Sequence, residues 1–114
     1  MVNKWDIYYC SLDPAQGSEQ RGKRPVLVVS NDVVNHILPV LTVLPLSSFK
    51  PGDKVYPSEA LLLSGVTGLP KDSIAMVQQV RTVSISRLSG LAGRLEDNDA
   101  REAVREALRM YFEV

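Results

Sequence analysis

Residues 17–32 read GSEQRGKRPVLVVSND, a glycine-opened polar loop that runs directly into an apolar strand. The loop carries one carboxylate (Glu19), one amide (Gln20) and three cations, Arg21, Lys23 and Arg24. Pro25 fixes φ at the junction, and the aliphatic, β-branched run Val26–Val29 suits a pleated, buried surface. A strand is therefore expected from Arg24 to Ser30, closed by the turn pair Asn31-Asp32. Charged side chains at the mouth of a strand are held by the scaffold and exposed by the loop, which places them where binding and chemistry occur. Three cations against one anion between residues 17 and 25 mark a local anion site.

On the N-terminal side, Asp6–Ser11 (DIYYCS) reads as a first strand ending at the turn signal Asp13-Pro14. On the C-terminal side, Val40–Leu46 is a third strand, and its Pro45 suggests an edge or a strand end. A loop with Pro51-Gly52-Asp53 follows, then a short strand around Lys54–Pro57. Gly65–Pro70 reads as a turn, and Ser73–Thr82 alternates well enough for one long or two short strands. From Ala100 the period changes. Ala100, Ala103, Val104, Ala107, Leu108 and Tyr111 fall on one helical face, with Asp97 as N-cap. Its opposite face carries Arg101, Arg105 and Arg109, expected to pair with Glu102 and Glu106. Strands first and a helix last predict a mainly β fold: a small, strongly bent antiparallel sheet or barrel with the helix over an open side.

Composition narrows the function classes. A chain of 114 residues predicts one domain spanning 1–114. No apolar run approaches 18 residues, and no basic-then-apolar leader opens the chain, so neither a membrane partner nor secretion is expected. The single Cys10 allows no internal disulfide and fits a cytoplasmic setting. One His and one Cys give no zinc-ligand spacing, and no cofactor motif is present. Thirteen basic residues balance thirteen acidic ones, which argues against coating nucleic acid by bulk attraction.

The series Asp6-Ile7-Tyr8, Leu12-Asp13-Pro14, GSEQRGKRPVLVVSND, Asn35, Pro45-Leu46-Ser47, Gly68-Leu69-Pro70-Lys71-Asp72-Ser73 and Gln79-Val80-Arg81-Thr82 resembles the MazF/PemK toxins of bacterial toxin–antitoxin modules. The resemblance runs from about Lys4 to Leu108, in order and in spacing. It implies an SH3-like barrel that forms a homodimer and cuts single-stranded RNA at short motifs without metal. The products would carry 2′,3′-cyclic phosphate and 5′-hydroxyl ends. The resemblance also implies a cognate antitoxin that lays a peptide over the RNA groove.

Metal-free cleavage by the substrate's own 2′-OH needs a proton acceptor, stabilisation of charge on phosphorus, and protonation of the leaving oxygen. Arg24 suits the phosphate, since its planar guanidinium grips two oxygens. With a pKa above ~12 it is a poor base. Arg24 and Ser47 match the family's catalytic arginine and hydroxyl residue, with Ser48 as an alternative hydroxyl. Glu19 has two readings, a base for the 2′-OH or a brace of the loop. Gln20, Arg21, Lys23, Ser48, Phe49, Lys50, Gln78 and Arg81 are candidate RNA contacts, an aromatic such as Phe49 being able to stack a base. Gln78 stands where many relatives carry an acid, and an amide cannot serve as a base. Arg81 has two readings as well, a phosphate contact or an ion pair at a dimer interface.

Trp5 replaces a glycine common in the family and reads as core cover. His36 reads as a bland loop residue, and Cys10 as a buried apolar one. Two rival functions share the fold: a gyrase poison that acts by protein contact, and a degenerate RNA binder. A gyrase poison needs neither Arg24-Pro25 nor the hydroxyl at Ser47, while Gln78 keeps the degenerate binder open.

Overall fold

A computed structural model describes all residues, 1–114. The chain forms β1 (Asp6–Ser11), β2 (Lys23–Val28), α1 (Asp32–Asn35), β3 (Val40–Ser48), β4 (Glu59–Leu62), α2 (Ser64–Thr67), β5 (Ser73–Met76), β6 (Arg81–Ser84), β7 (Leu88–Arg94) and α3 (Asn98–Phe112). Single 3-10 turns at Val77–Gln79 and Ile85–Arg87 separate the later strands. All pairings are antiparallel, in the order β4-β5-β3-β2-β1-β7, with β6 also on β3. The mainly β fold with a C-terminal helix is thus as expected.

Pro45 does not mark an edge. β3 is central, with β2 along one flank while the other flank changes partner. Val40–Val43 pair with β6 and Leu46–Ser48 with β5. Pro45 sits in that changeover, opposite Val26 of β2 but without a partner on the β5/β6 flank, so no N–H is called for on that side. The short strand expected at Lys54–Pro57 is absent; it begins two residues later, at Glu59, past Pro57. β7 was not foreseen. Its LSGLAGR carries two glycines, and its pairing with β1 slips at Ile7/Tyr8 and Tyr8/Cys10, so no clean alternation shows. Ser73–Thr82 resolves into the two-strand alternative, and Asn31 caps α1 by accepting from the Val33 N–H.

The two faces of the sheet bury different clusters. Ile7, Leu27, Leu44 and Leu46 join Leu62, Leu69, Leu95, Val104 and Ala107 in the larger core, which α3 covers. Cys10, Leu12, Val26, Val28, Leu41, Val43 and Val83 form the smaller one on the opposite face. α3 starts as expected, with the Asp97 side chain accepting from the Ala100 N–H at 2.9 Å. The two ends of the strand path meet at α2, which ends on Gly68 at φ 81° and rests on β7. Gly93 allows that approach, since a methyl group there would collide with the Thr67 carbonyl.

Trp5 is core cover, 5% exposed. Its backbone has φ 77°, the left-handed region that glycine tolerates best. The Arg101 and Arg105 guanidinium carbons stand 5.3 and 5.2 Å from the indole centroid. Of the outer pairs expected on α3, Glu102–Arg105 forms (3.6 Å), whereas Arg109 pairs with Glu102 (2.9 Å) and not with Glu106.

Candidate active site

Three depressions lie around the β1–β2 loop and the end of β3. The largest, about 380 Å³, is lined by Tyr9, Arg21, Gly22, Lys23, Arg24, Pro25, Leu46, Ser48, Leu69, Pro70, Lys71 and Ser73. Four cations and no carboxylate face it. None of Arg21, Lys23, Arg24 or Lys71 forms an ion pair, because every salt bridge of the chain involves Arg94, Arg105 or Arg109. The loop aims two of the four. Arg21 Nη2 donates to the Gly17 carbonyl at 2.9 Å, and Arg24 Nε donates to the Arg21 carbonyl at 2.9 Å. That leaves both terminal nitrogens of Arg24 for a ligand. Gly17 and Gly22, at φ 54° and 78°, give the loop the left-handed turns it needs.

A second depression, about 280 Å³, holds Glu19, Gln20, Pro45, Gln78, Gln79, Val80 and Arg81. Glu19 Oε1 accepts the Gln16 N–H at 2.6 Å, the geometry of a brace. Gln79 ties the loop to the sheet, donating to the Ser18 carbonyl (3.1 Å) and accepting from the Gln20 N–H (3.2 Å). Gln20 Oε1 is buried without a hydrogen bond, an acceptor waiting for a donor. Arg81 Nη1 donates to the Leu12 carbonyl at 3.0 Å. It has no carboxylate partner within the chain.

The third depression, about 250 Å³, is formed by Ser47, Ser48, Asp53, Lys54, Tyr56, Glu59, Ile74 and Met76. Arg24, Ser47 and Glu19 therefore line three different depressions, and Ser48 is the hydroxyl that shares one with Arg24. The β2–β3 ladder runs Val28↔Val43, Leu27↔Leu44, Val26↔Pro45. The ladder ends there, short of Arg24 and Ser47, which pair instead with Cys10 of β1 and Ile74 of β5. Phe49 and Lys50 lie beyond β3 and line none of the three. Gln78 is held outward, accepting from Ser58 Oγ at 2.8 Å and donating to Glu59 Oε2 at 2.6 Å.

Sequence reasoning missed Tyr9, Lys54, Tyr56, Glu59 and Lys71. The fold brings Tyr9 and Lys71 to the loop's cavity and Lys54, Tyr56 and Glu59 to the third depression, although Lys71 lies in a stretch that carries the family resemblance. His36 is a local fixture, with Nε2 2.8 Å from Asn3 Oδ1. Burial pushes the Cys10 thiol up, against the opposing pull of Arg81 and Arg87. No three His, Cys, Asp or Glu side chains converge as a metal-ligand group. No helix is long and apolar enough to cross a membrane.

A bent antiparallel sheet with unpaired cations gathered at one loop–strand junction defines a small β protein with a cationic cavity suited to an anion. Comparison with known proteins gives the family. Residues 3–112 match the model of the PemK-like, MazF-like toxins of type II toxin–antitoxin systems, and the chain belongs to that family. It is 35% identical to endoribonuclease MazF9 of Mycobacterium tuberculosis, over 100% of this chain and 98% of that one. It is 33% identical to endoribonuclease EndoA of Bacillus subtilis, over 96% and 93%. Among solved structures, the Mycobacterium tuberculosis toxin MazF-mt6 superposes with a TM-score of 0.76 at 25% identity, covering 96% of this chain and 97% of that one.

Proposed function

We propose that this chain is a toxin endoribonuclease that cleaves single-stranded RNA without a metal ion. The 2′-oxygen attacks the adjacent phosphorus, its proton passes to a base, and the bond to the 5′-oxygen breaks with protonation of that oxygen. A 2′,3′-cyclic phosphate and a 5′-hydroxyl result. The observation that carries this reading is the cluster of Arg21, Lys23, Arg24 and Lys71, unpaired around one cavity in a member of this toxin family. Such cations stabilise a phosphorane more than the ground state when they are fixed before the reaction. Arg24 is so fixed, through its Nε bond to the loop.

On this reading Arg24 holds the phosphate and Ser47, near the end of β3, donates a hydroxyl. Ser48 lines the wall beside them. Glu19 orients the loop through Gln16, and Gln20, Gln78 and Arg81 contact the strand of RNA from the second depression. The 1–114 chain acts as one domain, in the cytoplasm where messenger RNA is found. It pairs with a second copy through the exposed apolar strip Val33, Val34, Ile37 and Leu38, Val33 and Ile37 being 69% and 73% exposed. A cognate antitoxin segment competes with RNA for the same cations.

Purified protein incubated with RNA in EDTA tests the reading through new 5′-hydroxyl ends. Arg24→Ala is expected to abolish cleavage with fold and dimer retained; full cleavage by that variant overturns it. Glu19→Gln separates brace from base. An amide keeps the acceptor for the Gln16 N–H and hence activity, while loss of a base removes it. Inhibition of supercoiling without RNA cleavage would instead select the gyrase-poison reading.

A further inference from the structure

We infer that Glu59, with Tyr56, forms a guanine-selective subsite for the RNA, in the third depression beside Ser47. This inference rests on the RNA-cleaving reading above and adds a base preference to it. Glu59 opens β4, and its carboxylate is held at both oxygens. Oε1 accepts the Tyr56 N–H at 3.0 Å, and Oε2 accepts Gln78 Nε2 at 2.6 Å. Each carboxylate oxygen has two acceptor positions, so each retains one for a ligand. Two fixed acceptors side by side match a base edge with two adjacent donors. Guanine presents N1–H and N2–H on its Watson–Crick edge. Cytosine and adenine present one amino group beside an acceptor, and uracil one N–H between two acceptors.

The rest of the depression suits a base. Ile74 and Met76 supply apolar floor, and Tyr56 is 52% exposed, with Lys54 Nζ 5.1 Å from its ring centroid. A ring of that exposure stacks an unpaired base, and the ammonium neutralises a neighbouring phosphate. Ser48 lines both this depression and the one that holds Arg24, so a base seated here belongs to a nucleotide close to the scissile bond. The pattern also accounts for the amide at position 78. A carboxylate there would stand at hydrogen-bond distance from Glu59, and two such groups do not both ionise. Gln78 instead donates to Glu59. Gln78 is thus a positioning residue for Glu59, and the site's acceptor has moved to β4.

The test has two arms. In the first, cut sites are mapped by their 5′-hydroxyl ends in a random RNA pool, for the wild type and for Glu59→Gln and Tyr56→Ala. In the second, the Arg24→Ala protein is titrated with oligonucleotides in which each guanine in turn is replaced by inosine, which lacks the N2 amino group. Wild-type sites are expected to share one guanine at a fixed place, and Glu59→Gln to lose that preference by about ten-fold or more. Inosine at that place weakens binding several-fold only while Glu59 is present. Cleavage with no shared guanine, or a guanine preference that survives Glu59→Gln, overturns the subsite and leaves the nuclease reading intact. Guanine-selective binding without any cleavage supports the subsite and overturns the nuclease reading. Absence of inosine discrimination in binding overturns the subsite whatever the cleavage result.

Discussion

Replacing Trp5 separates two opposed contributions at one position. The indole is almost wholly buried in the larger core, and removal of a buried aromatic to Ala costs about 3–5 kcal/mol. The same residue holds φ 77°, which costs a non-glycine residue about 1–2 kcal/mol. The backbone cannot relax out of it. Its N–H donates to the Val28 carbonyl and its carbonyl accepts from Leu95, both at 2.8 Å, clasping the segment between β2 and the start of α3. Trp5→Ala loses the burial and keeps the strain, whereas Trp5→Gly loses the burial and sheds the strain. Elsewhere in a chain glycine is less stable than alanine by about 0.5–1 kcal/mol. Here the order inverts, and Trp5→Gly is expected to be the more stable of the two variants by roughly 1 kcal/mol. Urea unfolding followed by far-UV circular dichroism measures the difference, since Trp5 is the only tryptophan and both variants lack its fluorescence. Protomer concentration is held equal across the series, because association adds to apparent stability. A Trp5→Gly protein no more stable than Trp5→Ala would refute the strain argument.

Three other perturbations address separate parts of the molecule. Lys71→Ala removes one unpaired cation from the large cavity and is expected to reduce the slope of log K against log salt for a single-stranded RNA by about 0.7, measured by fluorescence anisotropy. Gly93→Ala drives a methyl group into the Thr67 carbonyl and is expected to destabilise the fold by about 1–3 kcal/mol in the same urea assay. Asp32 accepts the Lys4 N–H at 2.6 Å, which holds its carboxyl below the usual carboxylate range. With the folded value depressed, its contribution is complete above the unfolded pKa of about 3.9 and is lost as pH falls through the folded value. Asp32→Asn should therefore lower stability at neutral pH and leave a shallower loss of stability on acidification, read from denaturation midpoints at successive pH values.

The parts of the fold that the sequence disclosed are those with a clean local period. DIYYCS gave β1 with its observed bounds, and the apolar face from Ala100 gave α3 with its cap at Asp97. What it concealed depended on pairing. β7 has two glycines and slips twice against β1, so its residues show no alternation. Pro45 looked like an edge because a proline forbids a central ladder bond, but a strand that changes partner has a place where no such bond is made. The site divided in the same way. The cations of residues 21–24 are contiguous and were legible as an anion site. Lys71 and Tyr9 reach it from two other segments and Glu59 lines the third depression, and nothing in their local sequence distinguishes them from surface residues. Gln78 looked like the loss of an acid, and its hydrogen bond to Glu59 shows a carboxylate held one strand away.

Zero net charge and the proposed RNA substrate are reconciled by where the charges pair. The ion pairs lie on the α3 and β7 side, among Asp6, Arg94, Glu96, Glu102, Arg105 and Arg109. The cations of the β1–β2 loop and Lys71 have no such partners, so the potential of the molecule is local rather than global. A local field decays within a Debye length, about 8 Å at physiological salt, and gives little long-range capture of nucleic acid. On the proposed reading, a flexible single strand of RNA is expected to bind where its backbone can enter the large cavity. The same arrangement makes the site easy to block. An acidic segment laid across Arg21, Lys23, Arg24 and Lys71 gains the pairs that the fold leaves unmade, and it need not compete with any carboxylate of the toxin in that cavity.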